Sequence, residues 1–110
     1  MGGRKGIPQE VKEQVEGIVE EFNRRVIGDP NIYYVVRYRG AYLYLDRVDY
    51  GRRGPVCRLR YTGRMDGWEF AIYKYSDERY DAEEWFFPGA EYVDGTVEGT
   101  MRAGLEAYPP

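Results

Sequence analysis

The chain of 110 residues contains no histidine and only one cysteine. Without histidine there is no imidazole base to activate a serine or cysteine nucleophile, and no imidazole ligand for a metal ion. A single cysteine also excludes a disulfide within the chain. These absences favour a non-enzymatic protein. We therefore predict no catalytic residue, no metal ligand and no cofactor.

Long hydrophobic runs are absent as well. The longest uninterrupted apolar runs, 32–36 and 41–45, are five residues each, whereas a helix that crosses a bilayer needs about 20. The first residues contain no apolar stretch of the kind found in secretory signals. With 43% hydrophobic and 32% charged residues, the composition is typical of a single folded domain. We expect one domain over 1–110 with 1–7 flexible, a cytoplasmic location and no membrane partner.

Charge is unevenly distributed along the chain. The net charge is −3, yet residues 37–64 carry eight arginines against two acids, a net of +6, and residues 65–110 carry three basic groups against eleven acids, a net of −8. The two blocks can neutralise each other on neighbouring strands, which is favoured because surface charges of opposite sign are usually interspersed. Alternatively, the arginines form a basic face for an anionic partner.

The periodicity of the apolar residues predicts a helix at each end. Residues 8–26 place Val11, Val15, Val19, Phe22 and other apolar residues, Val26 included, on one stripe. A second stripe runs through residues 95–108, where Asp94 or Thr96 can cap the helix. Gly99 and Gly104 make that second helix marginal unless it packs against the rest of the chain.

Between the helices the period becomes two, which is typical of strands. In the clearest alternation, Cys57 and Leu59 face one way and Arg58 and Arg60 the other. A bulge near residues 46–47 would bring Val48 to the apolar face. The predicted strands cover 32–38, 41–50, 56–62, 68–75 and, as a short fifth strand or an extended edge, 80–87. The predicted fold class is α+β, with an N-terminal helix, a four- to five-stranded antiparallel meander and a C-terminal helix.

Two stretches carry a family resemblance. Residues 55–61, Pro-Val-Cys-Arg-Leu-Arg-Tyr, are followed after a short turn by Trp-Glu-Phe-Ala-Ile-Tyr-Lys-Tyr at 68–75 and then by Tyr80. This pattern, together with Ile7–Val15, resembles the bacterial family called domain of unknown function 3024. The chain departs from that family at its end, where the Gly-rich, Trp-containing tail is missing. The resemblance covers about half of the chain and implies an α+β domain in a bacterial cytoplasm, without catalytic residues.

Two groups of residues could carry chemistry, and both have a structural interpretation. Cys57 lies on the apolar face of its predicted strand, which indicates a buried, unreactive thiol. An acidic cluster could bind a hard cation, but it lacks the spacing of a calcium loop and is better explained as a solvated or Arg-paired edge. The members of this cluster are Asp77, Glu78, Asp81, Glu83 and Glu84.

The twelve tyrosines are the most unusual feature, and most lie in or beside predicted strands. Two helices can cover only one face of a meander, which leaves tyrosines and arginines together on the other. Such a face favours a binding domain that forms a homodimer, because Tyr and Arg are enriched at interfaces. One alternative is nucleic-acid binding through Arg52, Arg53, Arg58 and Arg60, although the acidic pI of 5.1 disfavours it. The other alternative is a small-molecule pocket lined by Tyr and Trp.

Overall fold

The computed structural model describes residues 6–110 and confirms the predicted α+β fold. Its helices and strands are α1 Gln9–Phe22, β1 Ile32–Arg39, β2 Tyr42–Asp49, β3 Arg52–Arg60, β4 Glu69–Lys74, β5 Arg79–Asp81 and α2 Val97–Ala107. The flexibility predicted for 1–7 falls mostly outside the described residues, but Ile7 is described and is buried in the core. Between residues 6 and 110, no helix has the length and hydrophobicity needed to cross a bilayer.

The five strands form one antiparallel sheet in the order β1-β2-β3-β4-β5, so every strand pairs with its neighbour in sequence. The connection from β2 to β3 is shorter than predicted. The strands predicted over 41–50 and 56–62 leave residues 51–55 as the connection, but Tyr50 and Gly51 both take positive φ, 51° and 85°, and reverse the chain in two residues. β3 therefore begins at Arg52.

A bulge between β2 and β3 sets which side chains face the helices. Leu45 pairs with Cys57 but Asp46 pairs with Pro55, so Val56 is the extra residue and lies on β3. Val56 and Cys57 are both buried. The prediction that a bulge would turn Val48 to the apolar face is wrong, because β2 itself continues without interruption against β1.

The end of α1 explains a second difference from prediction. After Phe22 the helix widens into a π-helical turn, Asn23–Ile27, which ends where Gly28 N–H donates to the Asn23 carbonyl at 2.9 Å. The wider turn rotates the following side chains away from the 3.6-residue stripe. Val26, predicted to be buried, is 39% exposed, and Ile27 packs against the core instead.

Both helices cover the same face of the sheet, which we call the inner face. Leu43, Leu45 and Leu59 are fully buried beneath them. Although glycine has a low helix propensity, Gly104 lets α2 lie close to the sheet, since a Cβ there would lie 2.7 Å from Val56 Cγ1. Thr96 is the N-cap of α2, as predicted, and its hydroxyl accepts from Gly99 N–H at 3.0 Å.

The predicted fifth strand over 80–87 is shorter in the structure and ends at Asp81. The Asp81 carboxylate accepts from the Glu83 backbone N–H at 2.9 Å, which turns the chain away from β4. In the segment that follows, Trp85 packs against Phe70 with ring centroids 5.9 Å apart, and Phe86 is 97% exposed.

Candidate functional site

The second face of the sheet, which the helices do not cover, is the candidate site, and we call it the outer face. Alternation along each strand places on it every second residue of β1 to β5. Most of these residues are aromatic or charged. The aromatic and charged members are Tyr33, Arg37, Arg39, Tyr42, Tyr44, Asp46, Arg53, Arg58, Arg60, Glu69, Tyr73 and Tyr80.

Guanidinium groups and tyrosine rings from four strands of the outer face, β1, β2, β3 and β5, contact each other. Arg58 Cζ lies 4.6 Å from the centre of the Tyr42 ring and 5.4 Å from that of Tyr80. Arg37 Cζ lies 4.5 Å from the centre of the Tyr44 ring, and the Tyr44 and Tyr80 rings meet edge to face at 5.4 Å. These distances are within the range of cation–π contacts, each of which contributes about 0.5–1 kcal/mol at an exposed site.

A buried carboxylate organises one end of this arrangement. Asp46 is only 5% exposed, and its Oδ2 accepts from Arg37 Nε at 3.1 Å and from Arg53 Nε at 3.0 Å. The bulge at Val56 is the reason that Arg53 reaches it, since without the extra residue Arg53 would face the helices. The hydrogen bond to Asp46 raises the pKa of the Arg37 guanidinium above its usual value.

The outer face is basic although the chain is acidic. It carries five arginines and two carboxylates, a net of +3, on a chain of net charge −3. Arg60 pairs with Glu69 at 2.8 Å, so three of the five arginines have a carboxylate partner on the same face. Within residues 6–110, Arg39 and Arg58 form no ion pair. The predicted neutralisation between charge blocks occurs at Arg60–Glu69 and at Arg64–Asp66, but it leaves positive charge in excess on the outer face.

The four arginines that we predicted as an anion-binding or nucleic-acid face do not lie together. Arg53, Arg58 and Arg60 are on the outer face, but Arg52 is not, because it pairs with Asp49 on the inner side of the sheet. Arg52 instead borders a cleft of about 510 Å³ beside the C-terminal end of α2.

Arg47 lines the same cleft, and sequence reasoning did not identify it. It faces the inner side, is 4% exposed, and donates to the Asp49 carboxylate at 2.8 Å and to the carbonyls of Gly104 and Tyr108. A cation at these carbonyls stabilises the negative end of the helix dipole. The signal in the sequence was the alternation Leu43, Leu45, Arg47, which places Arg47 on the apolar face.

The other predicted groups show no catalytic arrangement. Cys57 is fully buried, and burial raises the pKa of its thiol, which disfavours the reactive thiolate. Lys74 lies at the centre of the acidic cluster, with Nζ 3.2 Å from Glu84 and 3.7 Å from both Asp77 and Asp81. Across the described part of the chain, no group of three or more Cys, Asp or Glu side chains is arranged to hold a metal ion.

A pocket lined by tyrosine and tryptophan was the third prediction. The largest cavity described, about 690 Å³, lies instead along α1 and is lined by Ile18, Phe22, Val26 and polar neighbours. The cleft beside Arg52 includes Tyr75 and Tyr108 but no tryptophan.

No protein-family model, curated protein or solved structure matches this chain. The resemblance drawn from the sequence therefore stays a prediction.

Proposed function

We propose that the chain is a small non-enzymatic binding domain, and that its outer face binds an acidic surface of a partner protein. The observation that carries this proposal is the concentration of positive charge and aromatic rings on one face of an acidic chain. Arginine and tyrosine are enriched in the central residues of protein interfaces, where they contribute much of the binding energy.

The contacts of the tyrosine rings on the outer face favour a protein partner over nucleic acid. A base stacks on the open face of an aromatic ring. The rings of Tyr42 and Tyr44 each have a guanidinium over one face, at 4.6 and 4.5 Å. The protein's own arginines therefore occupy aromatic surface on which a base would stack.

An acidic partner is likewise favoured over a second copy of the chain. A twofold dimer apposes the same patch of both subunits, so two faces of net charge +3 would meet. Charge repulsion of this kind opposes association. The predicted homodimer would have to overcome it by pairing each arginine of one copy with a tyrosine of the other.

The proposal is tested by selecting peptides from a random library for binding to the wild-type chain. We expect acidic peptides to be enriched, and their affinity to fall about tenfold or more with Arg58→Ala, as for loss of an interface hot spot. Arg24→Ala is the matched control, because Arg24 is an exposed arginine in the π-helical turn after α1, away from the outer face. Selected peptides that bind the Arg58→Ala variant as tightly as the wild type contradict the proposal.

Two further measurements separate the alternatives. Sedimentation velocity that shows twice the monomer mass of 12.9 kDa, and a return to monomer with Tyr44→Glu, would assign the face to a second copy. Binding of a single-stranded oligonucleotide that weakens steeply with salt, and is lost in Arg58→Ala combined with Arg60→Ala, would assign it to nucleic acid.

A further inference from the structure

One edge of the sheet has backbone groups that the sheet does not use. β1 is the first strand in the sheet order and pairs only with β2, so its other edge has no neighbouring strand. Such an edge presents a row of N–H and C=O groups and can be paired by another extended chain.

Asn23 shows which backbone groups of β1 point outward. Its side-chain Nδ2 donates to the Tyr34 carbonyl at 3.0 Å, and Tyr34 N–H donates to Asn23 Oδ1 at 2.8 Å. The amide of Asn23 thus occupies the place of a neighbouring strand at Tyr34. Because outward and inward residues alternate in an antiparallel strand, the backbone groups of Val36 and Tyr38 also point outward. Within residues 6–110, no side chain or loop backbone bonds to them.

A groove follows this edge. It has a volume of about 280 Å³ and lies between β1 and α1, with Val19 and Val36 in its lining. Glu16 and Glu20 of α1 also border it, and Asn23 closes it at the Tyr34 end. The groove ends at Val36. The edge of β1 continues without a neighbouring strand to Arg39, so a short extended segment can pair along Val36 to Arg39 with one side chain in the groove.

Charge selects the kind of segment that can pair there. Arg37 and Arg39 face the outer side of the edge, and both are exposed. If two copies of β1 paired around Arg37 or around Tyr38, arginines of the two copies would lie opposite each other, which is destabilising. Pairing around Val36 would require a chain to enter the place that the Asn23 amide already fills. A strand of a second copy is therefore disfavoured, whereas an acidic strand matches the arginines.

We propose that the β1 edge receives an extended acidic segment of a partner protein as a sixth strand, with acidic side chains over Arg37 and Arg39 and an apolar side chain in the groove against Val19 and Val36. This inference rests on the proposed function, because the outer face and the β1 edge share these two arginines. Main-chain hydrogen bonds to Val36 and Tyr38 provide affinity, and the alternating side chains provide specificity.

The probe for this site is a short capped peptide of alternating glutamate and valine, titrated into the isotope-labelled full chain and followed by NMR. We expect the amide signals of Val36 and Tyr38 to shift and their hydrogen exchange to slow about tenfold or more at saturation. The same peptide with methylated backbone nitrogens cannot donate, so its affinity should be about tenfold lower or worse. Glutamine in place of glutamate should also weaken binding, because the charge is removed.

A matched pair of variants tests the backbone contact directly. Val36→Pro removes one outward N–H, and proline is tolerated where the N–H of an edge strand faces solvent. Val36→Ala shortens the same side chain and keeps the N–H. We expect Val36→Pro to abolish peptide binding and Val36→Ala to weaken it only modestly, through the smaller side chain in the groove, with the pairing of β1 and β2 preserved in both variants. If Val36→Pro fails to fold, the methylated peptide with the wild-type chain gives the same test.

Each outcome separates this inference from the proposed function. Peptide binding that survives Val36→Pro and backbone methylation but is lost with Arg58→Ala overturns strand addition and supports the outer face as the binding surface. Binding that is lost with Val36→Pro but unaffected by Arg58→Ala supports strand addition and overturns the central role of Arg58. Equal affinity for the glutamate and glutamine peptides overturns the acidic partner, and no binding of the glutamate peptide overturns the inference.

Discussion

The two faces of the sheet are formed by the same strands but differ in side-chain type and in burial. On the inner face, Leu43, Leu45 and Leu59 are fully buried and contribute by excluding water. On the outer face, Tyr42, Tyr44 and Arg58 remain partly accessible; Arg58 lies over the Tyr42 ring, and the Tyr42 and Tyr44 rings contact each other at a tilt. The inner face thus supplies most of the hydrophobic burial, and the outer face keeps polar and aromatic groups partly accessible to solvent.

The thiol of Cys57 gives the sharpest test of the inner face. Because it is fully buried in β3, labelling by a water-soluble thiol reagent requires the structure to open. For a domain of ordinary stability, about 5 kcal/mol or more, we expect labelling of the native chain to be about a thousandfold slower than that of the unfolded chain. Rapid labelling under native conditions would show that the region around β3 opens easily and is not the core.

Arg47 lies on the inner face and Arg58 on the outer face, so replacing each by alanine compares the same residue type on the two faces. Arg47→Ala leaves Asp49 and the carbonyls at the end of α2 without their buried donor, so we expect a loss of about 3–5 kcal/mol in the free energy of unfolding. Denaturant unfolding measures it. A cost below about 1 kcal/mol would mean that water or another cation replaces the guanidinium.

Leu59→Ala tests packing beneath the helices without any charge. The side chain is fully buried between β2 and β4, and removing such a leucine costs about 2–5 kcal/mol through lost hydrophobic burial and the cavity left behind. The midpoint of urea unfolding should shift accordingly. A change typical of surface substitutions, within about 0.5 kcal/mol, would place Leu59 outside the core.

Arg58→Ala should have the smallest effect on stability. Its contacts with Tyr42 and Tyr80 are partly exposed, and cation–π contacts at such sites contribute about 0.5–1 kcal/mol. The same denaturant measurement applies. A loss as large as that of Arg47→Ala would remove the distinction between the two faces, and would show that the outer arginines serve the fold rather than a partner.

Much of this fold could be predicted from the period of the apolar residues. The helix around Val15 and the strand around Leu59 follow from patterns that only one secondary structure satisfies. The π-helical turn after Phe22 could not be placed, because it depends on how distant elements pack. The bulge predicted near residues 46–47 is found at Leu45 and Asp46, but the extra residue, Val56, lies on the opposite strand, β3. Two adjacent apolar residues, Val56 and Cys57, were the available sign of the bulge.

The candidate site was predicted only in outline. That tyrosines and arginines share an uncovered face follows from the two-residue period. Which arginines lie together does not, because the one-residue shift at Val56 decides whether Arg52 or Arg53 joins Arg58. The role of Asp46 as a shared, buried carboxylate also depends on this shift, and no local sequence pattern indicates it.

The neighbour-to-neighbour order of the strands has a consequence for how the chain folds. Every pairing in the sheet joins segments linked by a short connection, so the sheet can form by successive closure of small loops. By contrast, α2 lies at the C-terminal end of the sequence but contacts α1, near the N-terminal end. It can pack closely against Val56 only because Gly104 has no side chain. We therefore expect α2 to dock late, so that Gly104→Ala accelerates unfolding while leaving the folding rate nearly unchanged in stopped-flow measurements.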